Sequence, residues 1–297
     1  MVKIDSKYGY IDTTGQLVSE MFDDVGSFCE GLALVKIDSK YGYIDTTGQL
    51  VSEMFDDVGS FYQGLARIKI DSKYGYIDTT RQVVIQPLFD DADSFSEGLA
   101  PVRIDSKYGY IDTTGQLVSQ MFDDVGSFCE GLARIKIDSK YGYIDTTRQV
   151  VIQPLFDFAK SFCEGLALVK IGPKYGYIDT TGKVVIQPQF DEVWSFSEGL
   201  APVRIGSKYG YIDTSGQLIS QIFDDVENFS EGLASVKIDN KWGYIDRTGQ
   251  MVIPPKFEEV QSFYQGKARV KIKNKFLGLI PIGEKLCTID KTGKFID

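Results

Sequence analysis

The sequence predicts an all-β protein. Its units are three-stranded antiparallel meanders of 33–34 residues, stacked in tandem into an open β-solenoid or superhelix-like array. Three observations predict this. The stretch "KYGYIDTTGQLVSEMFDD" at residues 7–24 recurs letter for letter at 40–57. An aromatic-Gly-Tyr triplet begins at Tyr8, Tyr41, Tyr74, Tyr108, Tyr141, Tyr175, Tyr209 and Trp242, always 33 or 34 residues after the last. Within each unit apolar residues alternate with period two, and no window sustains a helical period.

Each unit reads in order as strand, turn, strand, turn, strand, loop. The first strand, "LALVKI" at 32–37, places Ala33, Val35 and Ile37 on one face. "DSK", "GPK" or "DNK" follows, which is hairpin material. The second strand is "YGYID", rich in aromatic and β-branched residues. "TTG" or "RTG" makes the next turn. The third strand has two forms, "QLVSEMF" and "KVVIQPQF"; the proline late in the second form marks an edge or an exit. "DDVGSFCEG" reads as an irregular loop or a single helical turn, with Phe28 tucked beneath it.

The whole chain, 1–297, is expected to form one array, with units at 1–31, 32–64, 65–98, 99–131, 132–165, 166–199, 200–232, 233–266 and 267–297. The last is degenerate. There Phe276 is expected in the aromatic place, with about ten extra residues before "TID". A unit this short falls below the size that folds without staples, so units must bury their apolar faces against each other. Residues 68–90 and 135–157 are identical, as recent amplification of one module would leave them. The alternative architecture is a closed, propeller-like ring. Propeller blades have four strands, whereas three are read here, and the atypical last unit resembles the end cap of an open array. The start at "MVKID" leaves a strand edge open to end-to-end association.

Composition narrows the function classes. The chain is 43% hydrophobic and 25% charged with a net charge of -10, which suits a folded chain and argues against nucleic acid or anionic lipid as a partner. No apolar run is long enough to cross a bilayer as a helix, and no signal pattern opens the chain, so a cytoplasmic location is expected. Cys29, Cys129 and Cys163 occupy a place that elsewhere holds Ser96, Ser197, Ser230, Tyr62 or Tyr264. A place so tolerant is no disulfide or metal ligand. These cysteines and Cys287 are expected to be free thiols of a reducing compartment.

Recurring polar residues are expected to serve structure. Lys7, Lys40, Lys73, Lys107, Lys140, Lys174, Lys208, Lys241 and Lys275 precede the aromatic place. Asp12, Asp45, Asp78, Asp112, Asp145, Asp179, Asp213, Asp246 and Asp290 precede the second turn. A charged ladder for an ion or partner is one reading. An Asx-type cap on the turn is the preferred one for the aspartates. Gly9 and its equivalents allow close backbone approach. Gly15 supplies a positive φ, although Arg81 and Arg148 replace it in two units, so either that turn accepts strain there or its shape differs. Asp90, Asp91, Asp93 and Glu97 gather oxygens but lack a calcium-loop spacing, and solvated charge is the expected role. With no histidine and no phosphate loop, neither catalytic residues nor a cofactor or metal site is expected.

The segment "KWGYIDRTGQMVIPPKFEEVQSFYQGKARVKI" at 241–272 resembles the WG repeat, and the resemblance extends over essentially the entire chain. Tyr stands for the family's Trp in seven units, and "SEMF" or "SQMF" replaces the proline segment in several. The resemblance implies a β-rich repeat module, mostly bacterial and often accessory to other domains, and implies no activity. The expected function is a non-catalytic scaffold for protein–protein interaction. The alternative is a carbohydrate- or cell-surface-binding array built on the recurrent aromatics, and a carboxylate-based hydrolase is a remote third.

Overall fold

The computed structural model describes residues 1–28, 31–276 and 280–296, with side chains outside 274–283. The chain divides into two bodies, Met1–Pro154 and Leu155–Asp297, and the same unit recurs in both. Among the described residues there is no helix; strands and tight turns make small antiparallel sheets.

One unit illustrates the rest. A two-residue strand, Asp57–Val58, pairs with Leu65–Ile70, which pairs with Lys73–Asp78, which pairs with the closing strand Val83–Phe89. The sheet is therefore four-stranded where three strands were expected. It begins within "DDVG", the phrase read as loop or helical turn, so it also spans the expected 64/65 boundary. In the extra strand Asp57 faces Lys69 across the ladder, an opposite-charge pair. Asp124 faces Lys136 and Glu192 faces Arg204 in the same way. The rest of that phrase is a tight turn. Ser96 and Leu99 bridge across Glu97 and Gly98, both at positive φ.

The expected hairpin is present with its two-residue loop. Ile37 pairs with Lys40 around Asp38 and Ser39, whose φ values are +46° and +73°. At the second turn Arg81 and Arg148 hold φ of +71° and +70°, the conformation Gly15 and Gly48 adopt elsewhere. The turn keeps its shape and the arginines carry the strain.

The closing strand lies at the sheet edge, as its proline requires. Against it, Tyr74 pairs with Phe89 and Tyr76 with Ile85. Gln86, Pro87 and Leu88 thus bulge opposite Gly75, where a Cβ would sit 2.4 Å from the Ile85 carbonyl oxygen and 2.7 Å from the Pro87 nitrogen. In the "SEMF" form no continuous closing strand forms. Isolated bridges such as Tyr41–Phe55 and Ile44–Leu50 replace it, the Met54 sulfur comes 2.7 Å from the Cβ position of Gly42, and the Ser52 hydroxyl accepts the Tyr43 N–H at 2.8 Å.

The core lies between successive units. Leu32, Tyr43 and Phe55 of one pack on Val58, Phe61, Ala66, Ile68 and Ile77 of the next. Leu200, Tyr211 and Phe223 meet Phe229, Ala234, Val236 and Ile245 in the same arrangement. Phe61 and its counterparts are buried, but Phe28 is 39% exposed, so the expected burial holds for the series and not for that first member.

The last unit corrects one assignment. Its hairpin is lengthened, Lys267–Phe276 against Ile280–Asp290. Lys271 pairs with Leu286 as Lys237 pairs with Trp242, and Val270 pairs with Cys287 as Val236 pairs with Gly243. Leu286, not Phe276, therefore takes the aromatic place, Cys287 the glycine place and Thr288 the tyrosine place.

Candidate interaction surface

The recurring charges are engaged within the fold. Lys174 Nζ meets Asp191 Oδ1 at 2.6 Å, and Asp191 Oδ2 accepts the Gly206 N–H of the following unit's hairpin at 2.8 Å. Lys7–Asp23, Lys73–Asp90 and Lys208–Asp224 repeat the pair. The lysine hydrogen bond, with the backbone N–H, holds the Asp23, Asp90 and Asp191 carboxyls below their usual range. Each such carboxylate ties a lysine of its own unit to the next unit.

The turn aspartates are caps. Asp12 Oδ1 accepts the Thr14 hydroxyl at 2.7 Å, the Thr14 N–H at 2.8 Å and the Gln16 N–H at 2.9 Å. Asp246 and Asp290 do the same at their own turns. The hydroxyl bond, followed by the N–H bonds, lowers the carboxyl pKa of Asp12. Those with a partner across the hairpin ladder face an apolar or basic residue, as Leu32 opposite Asp45 and Lys267 opposite Asp290 show.

The "SEG" and "CEG" phrases link neighbours. Glu164 accepts the Glu198 and Gly199 N–H groups at 2.8 Å, Glu198 accepts Gly232, and Glu97 accepts Gly131. One residue earlier, Ser96 Oγ donates to the Phe128 carbonyl at 2.8 Å and Cys163 Sγ to the Phe196 carbonyl at 3.3 Å. Serine and cysteine interchange there because either supplies a small donor. Cys129, Cys163 and Cys287 are free thiols, and Cys29 lies outside the described residues. Asp90, Asp91, Asp93 and Glu97 do not converge. Asp91 and Asp93 cap the next N–H in the chain, and among the described residues no group of metal-ligating side chains gathers.

The aromatics divide in two. The second tyrosine of each triplet is core: Tyr76, Tyr110 and Tyr177 are buried, and each sets its ring edge-on to the phenylalanine that follows, with centroids about 5 Å apart. Its hydroxyl donates to a carbonyl, Tyr177 to Trp194 at 2.6 Å and Tyr110 to Gly126 at 2.6 Å. Burial pushes these phenols far above their usual pKa. The first aromatic is half-buried, in several units under a lysine, with Lys36 Nζ 5.1 Å from the Tyr41 ring centre and Lys237 Nζ 5.6 Å from that of Trp242.

Apolar side chains that reach solvent recur on the closing segment. Leu17, Leu50, Leu117 and Leu218 do so in one form; Val84, Val151, Val185 and Val252 do so in the other. Leu88 and Leu155 are the most open, at 70% and 71% exposed. Sequence pattern alone gave no sign of this row, because strand alternation shows which residues face the sheet's two sides and not which strand has an open edge.

Units of this kind define a class, the all-β tandem repeat of small antiparallel sheets. The chain belongs to the family of WG-containing repeats, whose model matches eight consecutive segments: 8–41, 41–74, 74–108, 108–141, 141–175, 175–209, 209–242 and 242–276. No curated protein matches it. Among solved structures, a eukaryotic initiation factor aligns with a TM-score of 0.53 and 10% identity, over 90% of this chain and 84% of that one. The dihydro-heme d1 dehydrogenase NirN aligns at 0.44 and 9% identity, over 98% and 77%. Kluyveromyces lactis Hsv2 aligns at 0.41 and 10% identity, over 88% and 96%.

Proposed function

We propose that this chain is a non-catalytic scaffold that binds other proteins along the closing segments of its units, in the reducing cytoplasm where its thiols stay free. The carrying observation is the row of solvent-reaching Leu and Val, one or more in each of the first eight units, beside recurring charges that are already used within the fold. Interface cores favour such apolar, uncharged positions. The test is capture from the source lysate with wild-type chain and with Leu88→Glu/Leu155→Glu. Both side chains are open enough that each change should cost no more than about 0.5 kcal/mol of stability. Wild type is expected to retain specific proteins that the variant loses. An unchanged set, or nothing above background, overturns the reading.

The finer architecture belongs to the same proposal: the units stay an open array. Supporting it, the last unit carries Lys267 and Thr288 where others carry the Leu and Tyr that pack on a following unit. Small-angle scattering decides. A compact 297-residue chain has a radius of gyration of about 19 Å; an open array exceeds it clearly, and a value at that figure overturns the reading.

A further inference from the structure

One cleft departs from the repeat where a lysine and a threonine replace a leucine and a tyrosine. It lies against the hairpin of the last unit, has a volume of about 560 Å³, and is lined in part by Gln261, Tyr264, Gln265, Lys267, Arg269 and Thr288. That volume falls within the usual range for ligand clefts.

Tyr264 stands where Ser96, Ser197 and Ser230 donate a hydrogen bond to the next unit, and its ring is 73% exposed. Lys267 replaces a leucine that is buried in most units, and Thr288 replaces the buried tyrosine. Arg269 lies directly opposite Thr288 across the hairpin, on the same face as Lys267. Among the described residues neither cation has an acidic partner, in a chain whose net charge is -10.

The neighbouring carboxylates are already engaged. Asp290, opposite Lys267, caps its own turn through Thr292 and Lys294. Glu231 accepts the Gly266 N–H at 2.9 Å and pairs with Lys291 at 3.2 Å. A polar end cap would account for the loss of leucine and tyrosine. An arginine recurs at the place of Arg269, as Arg67 and Arg134, and an open tyrosine at the place of Tyr264, as Tyr62; but Arg67 and Arg134 pair with Asp57 and Asp124, whereas here, among the described residues, an arginine without such a pair stands beside a second cation, Lys267.

We propose that this cleft binds an acidic sugar, a uronate residue of a polysaccharide. The ring would lie on the face of Tyr264, the carboxylate between Arg269 and Lys267, and the hydroxyls would meet Thr288, Gln261 and Gln265. A carboxylate suits the arginine fork.

The test uses the full chain and calorimetric titration with trigalacturonate, against maltotriose and inorganic phosphate as controls. Saturable binding of trigalacturonate alone is expected, weakening as salt is raised. Arg269→Gln and Tyr264→Ala should each weaken it about tenfold or more, the size of a lost charge-assisted contact. Tyr62→Ala is the internal control. Tyr62 is also exposed, but Leu65 and Tyr76 keep the ordinary pattern beside it, so binding should stay within about twofold. Absence of saturable heat overturns the proposal. So do equal binding of maltotriose or phosphate, or equal losses from Tyr62→Ala and Tyr264→Ala. Unchanged melting temperatures show that the variants are folded, and the salt series on wild type tests the charge contribution without any variant.

Discussion

Glycine between the two aromatics recurs for two different reasons, and a matched pair of substitutions separates them. At Gly243 an added Cβ would lie 2.4 Å from the Ile253 carbonyl oxygen, 2.8 Å from the Pro255 nitrogen and 2.9 Å from the Pro254 carbonyl carbon. These are backbone atoms of the closing strand, held by the pairs Trp242–Phe257 and Tyr244–Ile253. They can give way only by lifting the strand. At Gly210 the first atom met is Leu218 Cδ1 at 2.7 Å and the next is Ile222 Cγ2 at 3.6 Å, both side-chain ends free to rotate. Overpacking a fixed site costs about 1–3 kcal/mol. Replacing glycine by alanine returns about 0.4–1 kcal/mol by restricting the unfolded chain. Gly243→Ala should therefore destabilise by about 1–2 kcal/mol, and Gly210→Ala should stay within about 1 kcal/mol of neutral. The two tryptophans report on the right places. Trp242 adjoins Gly243, and Trp194 contacts Tyr209, beside Gly210, with ring centres 5.9 Å apart. Urea unfolding followed by tryptophan fluorescence gives the comparison. Equal losses, or a larger loss at Gly210, would refute the claim that backbone against backbone makes glycine obligatory in the proline form.

Three further outcomes follow from the same geometry. Tyr177→Phe removes the hydroxyl that meets the Trp194 carbonyl and should lower stability by about 1–2 kcal/mol, read as an earlier urea midpoint in Trp194 fluorescence. Arg81→Gly relieves a left-handed residue held at φ +71° and should raise the melting temperature, by an amount corresponding to about 1 kcal/mol. Acid should act on the whole series of caps. Asp12, Asp45, Asp78, Asp179 and Asp290 have carboxyl pKa values lowered by the Thr hydroxyl and by turn N–H groups. Their stabilisation is complete above the unfolded aspartate value, about 3.9, and is lost as pH falls through the lower folded values. Circular dichroism should show the loss setting in below about pH 4, and Asp→Asn at one cap should flatten the curve.

The repeat period, the hairpin and the Asx caps were legible because each depends on residues close in sequence. "DSK" between alternating apolar runs specifies a two-residue loop, and Ile37 indeed pairs with Lys40. An aspartate two residues before a threonine specifies its own cap. The short fourth strand was not legible. Its two residues carry no alternation, and only pairing with a strand later in the chain defines it, as Asp57 with Lys69 and Phe158 with Lys170 show. The misplacement of Phe276 has a similar cause. An inserted stretch lengthens both arms of a hairpin at once, so counting from one arm misses the register that Lys271–Leu286 pairing sets. The cleft beside Tyr264 was hidden for a third reason. Tyr264 and Tyr62 share the phrase "FYQG", and only the strand neighbours that pairing supplies, Lys267 and Thr288 against Leu65 and Tyr76, distinguish them.

The two closing segments show how one docking design tolerates two chemistries. What a unit must deliver is a filled space over its glycine and a partner for the backbone N–H of its buried tyrosine. The proline form fills the space with its own bulged backbone and pairs the tyrosine with Ile85 or Ile253 in the ladder. The other form gives up the ladder. It fills the same space with Leu50 and Met54 and turns the Ser52 hydroxyl back to the tyrosine N–H. Both leave the buried tyrosine and the phenylalanine beside it in nearly the same ring contact, 5.0 Å and 56° at Tyr43–Phe61 and 4.9 Å and 62° at Tyr76–Phe95. The face offered to the next unit is therefore the same in either form. Variation is confined to the outer segment, where it changes what solvent meets, Leu50 in one form and Val84 with Leu88 in the other. A binding surface built there can diversify from unit to unit without disturbing the contacts that hold the units together.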